Sequence, residues 1–421
     1  MWRHWLPQFK KLPSSSKSPV IFTGLLFSPV AFFGSAFSFR IANSQQPAAP
    51  QATFSLACRL LPLAYNHLML LQGIFPAVTT PFYPDGAVYY KKIEHNIDRY
   101  SRTPVAGMVV LGSTGEAVML SDEERRDVLR VTAETAAPEK VLIAGTGAES
   151  VLETLKLTEY AAKLRYDVAL VRTPHFYRPQ MKPEALLTFY RTVADRSPLP
   201  VLLYTVPPYT AYDLPLEVIL ELAEHPNIIG IKESSGNIEK VSAMVERTRH
   251  IKRTATATEV FQAVTERMLT ATATSQQGNG SQLLGEHQLA GGGGIAVATK
   301  PKIKTRPKEV GFQVLIGAAQ TLLASLQAGA SGAVLAFAAP APTICFEIYS
   351  AWKDNDIEMA QTKQVGIVAA SKRLVAELGI PAVKYAMDLN GYYGGLPRLP
   401  LLPLTGAQKS EIESLMAPFP N

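Results

Sequence analysis

The stretch IIGIKESSG (residues 228–236) places a single lysine, Lys232, in a run that otherwise has the composition of a buried β-strand. An ammonium group without a partner is costly to bury. Lys232 must therefore have a partner or a chemical task, and the rest of the chain has to show which.

Seven further runs are short, apolar and rich in β-branched residues, and amphipathic helical stretches lie between them. These runs are residues 73–79, 106–112, 141–145, 167–173, 201–206, 313–317 and 332–338. From the second to the sixth strand the spacing is close to the ~30 residues of a βαβ unit. The pattern predicts an α/β fold, a (β/α)8 TIM barrel. The alternative is a doubly wound open sheet, although no G-x-G-x-x-G motif follows the first strand.

Helix starts support this alternation. In LSDEERRDVLRVTAETA (residues 120–136), Ser121 and Glu124 have the spacing of a capping box ahead of an amphipathic helix. We therefore expect a helix to follow the second strand.

Residues 69–341 are expected to form the barrel, and residues 342–421 a carboxy-terminal helical region with proline-rich connections. About 80 residues separate the sixth and seventh strands, which is far more than a barrel unit needs. Within this gap, residues 252–310 contain TATATEV, GGGG and KPKIKTRPK and are low in complexity. We expect a flexible surface insertion there, and the alternative is a regulatory arm.

Residues 1–68 form an amino-terminal extension that we expect to be largely disordered. The apolar run at 19–39 behind a basic stretch resembles a signal peptide, while the absence of acidic residues suits a transit peptide. A third interpretation is that Met69 is the true start. A spanning helix is disfavoured because Gly24, Pro29 and Gly34 interrupt a run that is barely long enough.

The net charge of +6 lies mostly outside the barrel. Residues 1–68 contribute +6 and residues 253–310 contribute +3, which leaves −3 for the remainder. This distribution argues against a nucleic-acid partner, and we expect no membrane partner either. The two cysteines, Cys58 and Cys345, are too far apart in sequence to suggest a disulfide framework or thiolate metal site, which favours a reducing compartment, the cytoplasm.

Three sequence features converge in a barrel of this kind. Side chains at the carboxyl ends of the strands face one shared mouth. Lys232 ends the sixth strand, Tyr204 lies late in the fifth, and GSTGE (residues 112–116) follows the second. Burial lowers the pKa of a lysine, and the neutral amine can attack a ketone to form an iminium that activates the adjacent carbon. A phenol such as Tyr204 suits the accompanying proton transfers.

Each feature also has a structural interpretation. Lys232 could extend its amine to solvent or pair with Glu233, and Tyr204 could be a core residue. In GSTGE, Ser113 and Glu116 have capping-box spacing, although such a turn also aims backbone N–H groups at the mouth, where they can bind a carboxylate.

At these residues the chain resembles the pyruvate-dependent Schiff-base lyases, a family that includes dihydrodipicolinate synthase, N-acetylneuraminate lyase and 4-hydroxy-2-oxoglutarate aldolase. The resemblance covers about residues 73–405 without the insertion. The motifs GSTGE, YTVP (residues 204–207) and GIKESSG (residues 230–236) are specific in this order and spacing, whereas each alone is weak.

The resemblance implies roles for several residues. Lys232 would form the Schiff base, Tyr204 would donate and accept protons, and Ser113 and Thr114 would hold the carboxylate of pyruvate and relay protons. Val334 matches a position that binds pyruvate through its backbone, and Gly317 one near the lysine. The resemblance implies neither a metal nor an organic cofactor, and it implies a homo-oligomer, a tetramer or a dimer.

Two departures bear on the substrate. Phe176 occupies the position of a relay tyrosine that reaches into a neighbouring subunit, and Tyr177 beside it is our candidate substitute. Tyr209 stands where synthases that use aspartate semialdehyde carry an arginine, and a phenol cannot replace a guanidinium fork. With the carboxy-terminal GYYGGLPRLPL (residues 391–401), this favours the 4-hydroxy-2-oxoglutarate aldolase branch. The alternatives are 4-hydroxy-tetrahydrodipicolinate synthase and a barrel that binds a keto acid without turnover.

Overall fold

The computed structural model describes residues 68–260, 262–277 and 303–421. The extension predicted for residues 1–68 lies outside the described residues except for Leu68, and so does the middle of the predicted insertion.

Within the described residues, ten strands form two sheets. All eight predicted strands are present, and they make one parallel sheet in the order β1-β10-β9-β6-β5-β4-β3-β2. The other two strands, β7 and β8, pair with each other. In chain order the strands are β1 (Gly73–Pro76), β2 (Gly107–Val110), β3 (Val141–Gly145), β4 (Val168–Arg172), β5 (Val201–Thr205), β6 (Ile228–Glu233), β7 (Arg253–Thr258), β8 (Thr305–Val310), β9 (Gln313–Ile316) and β10 (Gly332–Leu335).

β1 and β2, which stand at the two ends of this strand order, also contact each other and close the barrel. Ala77 and Val109 form a parallel bridge, and the N–H of Val78 donates to the carbonyl of Val109 at 2.9 Å. At the other end of the strands, the N–H of Ala106 donates to the carbonyl of Ile74 at 3.0 Å. The predicted (β/α)8 barrel is therefore confirmed, and the open-sheet alternative is wrong.

The helices surround the strands. They are α1 (Tyr90–Ser101), α2 (Asp122–Thr135), α3 (Val151–Lys163), α4 (Pro183–Arg196), α5 (Pro207–Thr210), α6 (Leu216–Ala223), α7 (Ile238–Arg247), α8 (Glu266–Gln277), α9 (Leu322–Gln327), α10 (Pro342–Lys353), α11 (Ile357–Ser371) with a π-helical continuation (Lys372–Glu377), α12 (Ile380–Leu389) and α13 (Gly406–Met416). The predicted capping box of α2 is present: Ser121 Oγ accepts from the N–H of Glu124 at 3.1 Å, and the Glu124 carboxylate accepts from the N–H of Ser121 at 2.9 Å.

Two apolar layers hold the barrel, because successive side chains of a strand point to opposite faces. Leu203 and Ile231 pack outward against the helices. Leu202, Tyr204 and Val334 point inward and belong to the cluster that fills the barrel. Lys232 follows Ile231 and pairs in register with Tyr204, so it points inward too.

The ends of the predicted insertion are ordered, which corrects our expectation of a flexible surface loop there. β7 and β8 form an antiparallel ribbon in which Ala255 and Ala257 are buried against Leu70 and Val310. TATATEV is low in complexity, but its alternation of threonine and alanine is also the period-2 pattern of a half-buried strand.

The ribbon lies at the amino ends of the barrel strands, away from the predicted mouth. Arg253 of β7 donates to the carbonyl of Ile228, the first residue of β6, at 2.6 Å. At the start of α8, Arg267 forms an ion pair with Asp167, the residue before β4, with a distance of 3.4 Å and both side chains buried. These contacts fix the described ends of the insertion to the amino-terminal end of the barrel, which we call its floor.

The boundary predicted for the carboxy-terminal helical region is also corrected. α10 lies within residues 342–421 but contacts β1 and α9, and its Cys345 and Ile348 are buried in the core between strands and helices. α10 is therefore the helix that follows the eighth barrel strand, β10. The added region begins with α11.

No helix among the described residues is long and apolar enough to cross a membrane.

Candidate active site

Lys232 lies near the carboxyl end of β6 with only 4% of its surface exposed. Its Nζ is 4.3 Å from the centre of the Tyr204 ring. Burial lowers its pKa to about 7, and no carboxylate among the described residues lies close enough to oppose this shift. The ion pair with Glu233 that we considered is absent, since the Glu233 carboxylate accepts instead from the N–H of Ser235 at 2.8 Å. The interpretation of an amine extended to solvent is wrong as well.

Tyr204 connects the lysine to the loop after β2. Its hydroxyl lies 3.2 Å from Ser113 Oγ, and its side chain also hydrogen-bonds with Ser234. Burial raises the pKa of the Tyr204 phenol, and the two hydrogen bonds partly offset this effect. The phenol therefore stays protonated at neutral pH and can exchange a proton with a hydroxyl.

The GSTGE motif forms a short 3₁₀ turn, Ser113–Gly115, directly after β2. Ser113 and Thr114 are half-buried on this turn. The capping-box interpretation is wrong, because Glu116 is buried and its carboxylate pairs with Lys384 of α12 at 2.7 Å. Strand order and register thus bring Ser113, Tyr204 and Lys232 to one mouth, as the sequence predicted.

Gly317 and Val334 belong to the two strands that follow β6 in the sheet, Gly317 just after β9 and Val334 within β10. Gly317 directly follows β9, and its N–H donates to the carbonyl of Glu233 at 2.6 Å. A Cβ at this glycine would lie 2.0 Å from Ser234 Oγ, so only glycine fits here. Val334 is buried in β10 and faces the barrel interior.

A cavity of about 330 Å³ lies at the carboxyl ends of β2, β3 and β4. Its lining includes Ser113, Tyr204 and Arg172 but not Lys232, whose amine lies behind the Tyr204 ring. Of the predicted site residues, Ser113 and Tyr204 line this cavity.

Sequence reasoning missed Arg172 and Glu149, which line this cavity. Arg172, the last residue of β4, pairs in register with Tyr204 and donates to the Glu149 carboxylate at 2.7 Å. Glu149 also accepts from the backbone N–H groups of His175 at 2.9 Å and Phe176 at 3.0 Å. An arginine that ends an otherwise apolar strand was the available signal.

Phe176, Tyr177 and Tyr209 lie at the rim of the mouth, and burial together with the neighbouring Tyr204 phenol raises the pKa of Tyr209. Their exposed fractions are 73%, 64% and 57%, respectively. Phe176 and Tyr177 stack edge to face with ring centres 5.1 Å apart. Within one chain, therefore, neither residue completes a relay to Tyr204.

The model of the dihydrodipicolinate synthetase family matches residues 70–276 and 294–418. The chain belongs to this family. The match includes Ser113, Tyr204 and Lys232 and passes over residues 277–293.

Curated relatives and solved structures agree with the assignment to the dihydrodipicolinate synthetase family. The 4-hydroxy-tetrahydrodipicolinate synthase of Methanothrix thermoacetophila is 28% identical over 347 residues, which is 82% of this chain and 96% of the relative. A dihydrodipicolinate synthase of Bacillus anthracis superposes with a TM-score of 0.65 at 21% identity, covering 83% of this chain and 99% of that structure. The chloride-inhibited dihydrodipicolinate synthase of Acinetobacter baumannii, solved with pyruvate, gives 0.64 at 26% identity, with 82% and 98% covered.

The predicted family and the prediction of an enzyme are thereby confirmed: the protein is a lyase of the dihydrodipicolinate synthetase family, in the pyruvate-dependent aldolase class.

Proposed function

We propose that the protein forms a Schiff base between Lys232 and pyruvate, or a 2-keto acid that contains the pyruvate unit, and makes or breaks a carbon–carbon bond next to it. The observation that carries the proposal is the buried amine of Lys232, whose pKa is lowered to about 7, held 4.3 Å from the Tyr204 ring. A substantial fraction of this amine is neutral at physiological pH and therefore nucleophilic.

The first steps follow from these two residues. The Lys232 amine adds to the keto carbon, and the resulting alkoxide takes a proton to give a carbinolamine. Loss of the hydroxyl as water leaves the iminium. The Tyr204 phenol supplies and removes these protons, in exchange with Ser113 Oγ at 3.2 Å. No metal or organic cofactor is needed for these steps.

The turn after β2 is the proposed carboxylate site. The hydroxyls of Ser113 and Thr114 and the backbone of this turn would hold the carboxylate beside the keto carbon, and the backbone at Val334 would contact the rest of pyruvate. Hydrogen bonds to a carboxylate are charge-assisted and fix its orientation. Gly317 leaves room for Ser234 beside Tyr204. Tyr177 and Tyr209, which lie at the rim, would contribute from there, Tyr177 as the substitute for the relay tyrosine.

For the substrate, we propose a 4-hydroxy-2-keto acid such as 4-hydroxy-2-oxoglutarate. Removal of the 4-hydroxyl proton would break the bond between carbons 3 and 4, release the aldehyde and leave the electron pair on carbon 3 as an enamine. Protonation of carbon 3 and hydrolysis of the iminium would then release pyruvate and free Lys232. Tyr209 supports this choice, because it stands where the arginine for aspartate semialdehyde is expected.

The second candidate is 4-hydroxy-tetrahydrodipicolinate synthase, which condenses pyruvate with aspartate semialdehyde. The name carried by the Methanothrix relative supports it. The two reactions share the Schiff base and differ in the aldehyde, so the same lysine and tyrosine would serve both.

Two assays test the proposal. Incubation with pyruvate and borohydride should add a reduced three-carbon group to the peptide that contains Lys232, and mass spectrometry would locate it. Pyruvate release from 4-hydroxy-2-oxoglutarate, compared with pyruvate consumption in the presence of aspartate semialdehyde, would then separate the two candidates. Unmodified protein, under conditions that label a control aldolase, would refute the Schiff base. Labelling without turnover of any aldehyde would favour a keto-acid-binding barrel.

We also propose a homo-oligomer, a tetramer or dimer, located in the cytoplasm. The exposed rings of Phe176 and Tyr177 at the rim support a contact with a second copy. Cys345 is a buried free thiol, as expected in a reducing compartment. Light scattering would test the assembly.

A further inference from the structure

Beneath the turn after β2 lies an ion pair that the proposed reaction does not use. Lys384 of α12 and Glu116 are 2.7 Å apart, and neither side chain has any exposed surface. A buried ion pair is a poor source of stability, because desolvation of the two charges offsets their attraction. Apolar residues of similar volume would fill this space at least as favourably. The pair therefore requires another explanation.

Every hydrogen-bonding group of the pair is used. Lys384 Nζ donates to the carbonyls of Thr80 at 2.8 Å and Leu396 at 2.9 Å as well as to Glu116. The second oxygen of the Glu116 carboxylate accepts from the N–H of Arg398 at 2.9 Å. These four hydrogen bonds hold the Glu116 side chain in one position.

Glu116 also closes the turn that carries Ser113. Its N–H donates to the carbonyl of Ser113 at 3.1 Å, and its backbone is left-handed with φ of 53°. This conformation costs a residue with a side chain about 1 kcal/mol or more, so surrounding contacts must hold it. The Thr80 hydroxyl holds the same turn through the carbonyl of Gly115 at 2.7 Å.

Arg398 fixes the segment that follows the turn. Its guanidinium donates two hydrogen bonds to the Glu124 carboxylate, at 2.7 Å and 2.9 Å, and one to the carbonyl of Met119 at 2.8 Å. Lys384 and Arg398 also lie 4.3 Å and 4.4 Å from the centre of the Phe82 ring. The carboxy-terminal region thereby holds the chain at Glu116, Met119 and Glu124.

We propose that Glu116 and Lys384 are positioning residues, whose ion pair holds the turn Ser113–Gly115 where the Ser113 hydroxyl meets Tyr204. The consequence for pyruvate binding rests on the function proposed above. Neither residue touches the substrate in this account. Their effect reaches the site through the backbone of Glu116.

Two variants and a control separate positioning from stability. Lys384→Met leaves the Glu116 charge buried without a partner, whereas Glu116→Gln combined with Lys384→Met removes both charges. Arg191→Met serves as the matched control, because it breaks an ion pair with Glu221 whose side chains are 47% and 50% exposed. For each protein we would measure urea unfolding, the pyruvate concentration that half-saturates borohydride trapping of Lys232, and the crystal structure.

We expect Lys384→Met to lose stability and the double variant to regain most of it. Both should raise the half-saturating pyruvate concentration about tenfold or more, because a displaced turn holds the carboxylate poorly. The distance between Ser113 Oγ and Tyr204 Oη, 3.2 Å in the native protein, should increase beyond hydrogen-bonding range. The control should change none of the three measurements.

A stable double variant with native pyruvate saturation and an unchanged 3.2 Å distance would overturn the positioning role. If the native protein gives no adduct at all, the proposed function is refuted. The distance between Ser113 Oγ and Tyr204 Oη in the crystal structures still decides whether Glu116 and Lys384 position the turn. A single variant that fails to fold leaves the double variant to decide.

Discussion

Lys232 and Tyr204 occupy paired positions on β6 and β5, and this register holds the lysine amine 4.3 Å from the centre of the phenol ring. The ring covers the amine, and its hydroxyl lies 3.2 Å from Ser113 Oγ, where the proposed reaction needs a proton donor. Desolvation and proton supply, the two requirements of Schiff-base chemistry, thus depend on a single strand pairing.

The reaction should depend on pH through Lys232. Because burial lowers the pKa of its amine to about 7, the reactive neutral form is lost below that value. We expect kcat/KM for the keto acid to fall about tenfold per pH unit below about pH 7 and to level off above it. Initial rates across the pH range would check this. A profile that stays flat below pH 7 would contradict the assignment.

Replacing Lys232 with methionine should stabilise the protein. The folded-state pKa of about 7 lies below the unfolded value of ~10.4, so between these values the unfolded chain binds more protons. Native stability therefore rises with pH through this window, and the full penalty applies below it. We expect Lys232→Met to gain about 0.5–2 kcal/mol at pH 7 and less at pH 9.

Urea unfolding at the two pH values would measure the effect of Lys232→Met. Lys156→Met is the control, because the Lys156 side chain is 51% exposed and pays no comparable desolvation penalty. A Lys232→Met variant less stable than the native protein at pH 7 would mean that the amine has a stabilising partner.

Tyr204→Phe should impair proton transfer and leave the fold intact. The ring still covers Lys232, but the hydroxyl that meets Ser113 is lost. We expect kcat to fall about 10²–10⁴-fold, while borohydride still traps an adduct at a reduced rate. Steady-state kinetics and trapping would be compared with Tyr160→Phe, a change on helix α3 away from the mouth. Native kcat in Tyr204→Phe would remove the phenol from the mechanism.

Gly317→Ala should damage the site through a steric clash. An added methyl group would lie 2.0 Å from Ser234 Oγ and 2.8 Å from its Cβ, so β6 or β9 has to shift near Lys232. We expect a loss of stability of about 1–3 kcal/mol together with reduced trapping of Lys232. Gly406→Ala, where nothing lies within 4 Å of the added carbon, is the matched control. Equal behaviour of the two variants would argue against close packing at Gly317.

Arg267→Met should loosen the floor of the barrel. Burial raises the pKa of Asp167 to about 6, and Arg267 is the cation that opposes this shift. Without Arg267 the pKa should rise further, so the charged carboxylate becomes costly above that value and the variant loses stability as pH increases. We expect a deficit of about 3–5 kcal/mol at pH 8 and a smaller one at pH 5.

Urea unfolding at both pH values would test the Arg267→Met prediction. Lys252→Met breaks an exposed ion pair with Glu309 in the same ribbon and should change stability by less than about 0.5 kcal/mol. An equally small effect of Arg267→Met would show that α8 does not dock on the barrel.

The barrel was predictable because each of its strands is an uninterrupted apolar run, which is the pattern of a parallel sheet covered on both faces. The meeting of Ser113, Tyr204 and Lys232 followed from the rule that the carboxyl ends of barrel strands share one mouth. At β7 composition and period point in different directions: alternating threonine and alanine is repetitive sequence, yet the alternation is that of a strand with one buried face.

The contacts that sequence reasoning missed join distant positions. Glu116 and Lys384 are 268 residues apart, and no local pattern links them. One signal was available: Lys384 interrupts an apolar helix just as Lys232 interrupts an apolar strand. A lysine on the buried face of α12 needs a partner for its charge, and Glu116 is that partner.

The ribbon of β7 and β8 offers a practical site for protein engineering. Thr258 and Thr305 are paired at one end of the ribbon, and the ribbon packs on the end of the barrel opposite the mouth. A reporter domain inserted after α8 and before β8 would leave both this strand pairing and the Arg267–Asp167 ion pair in place. Such a fusion would place no tension on the strands that carry Tyr204 and Lys232, so a fluorescent or affinity module could be carried there while turnover continues.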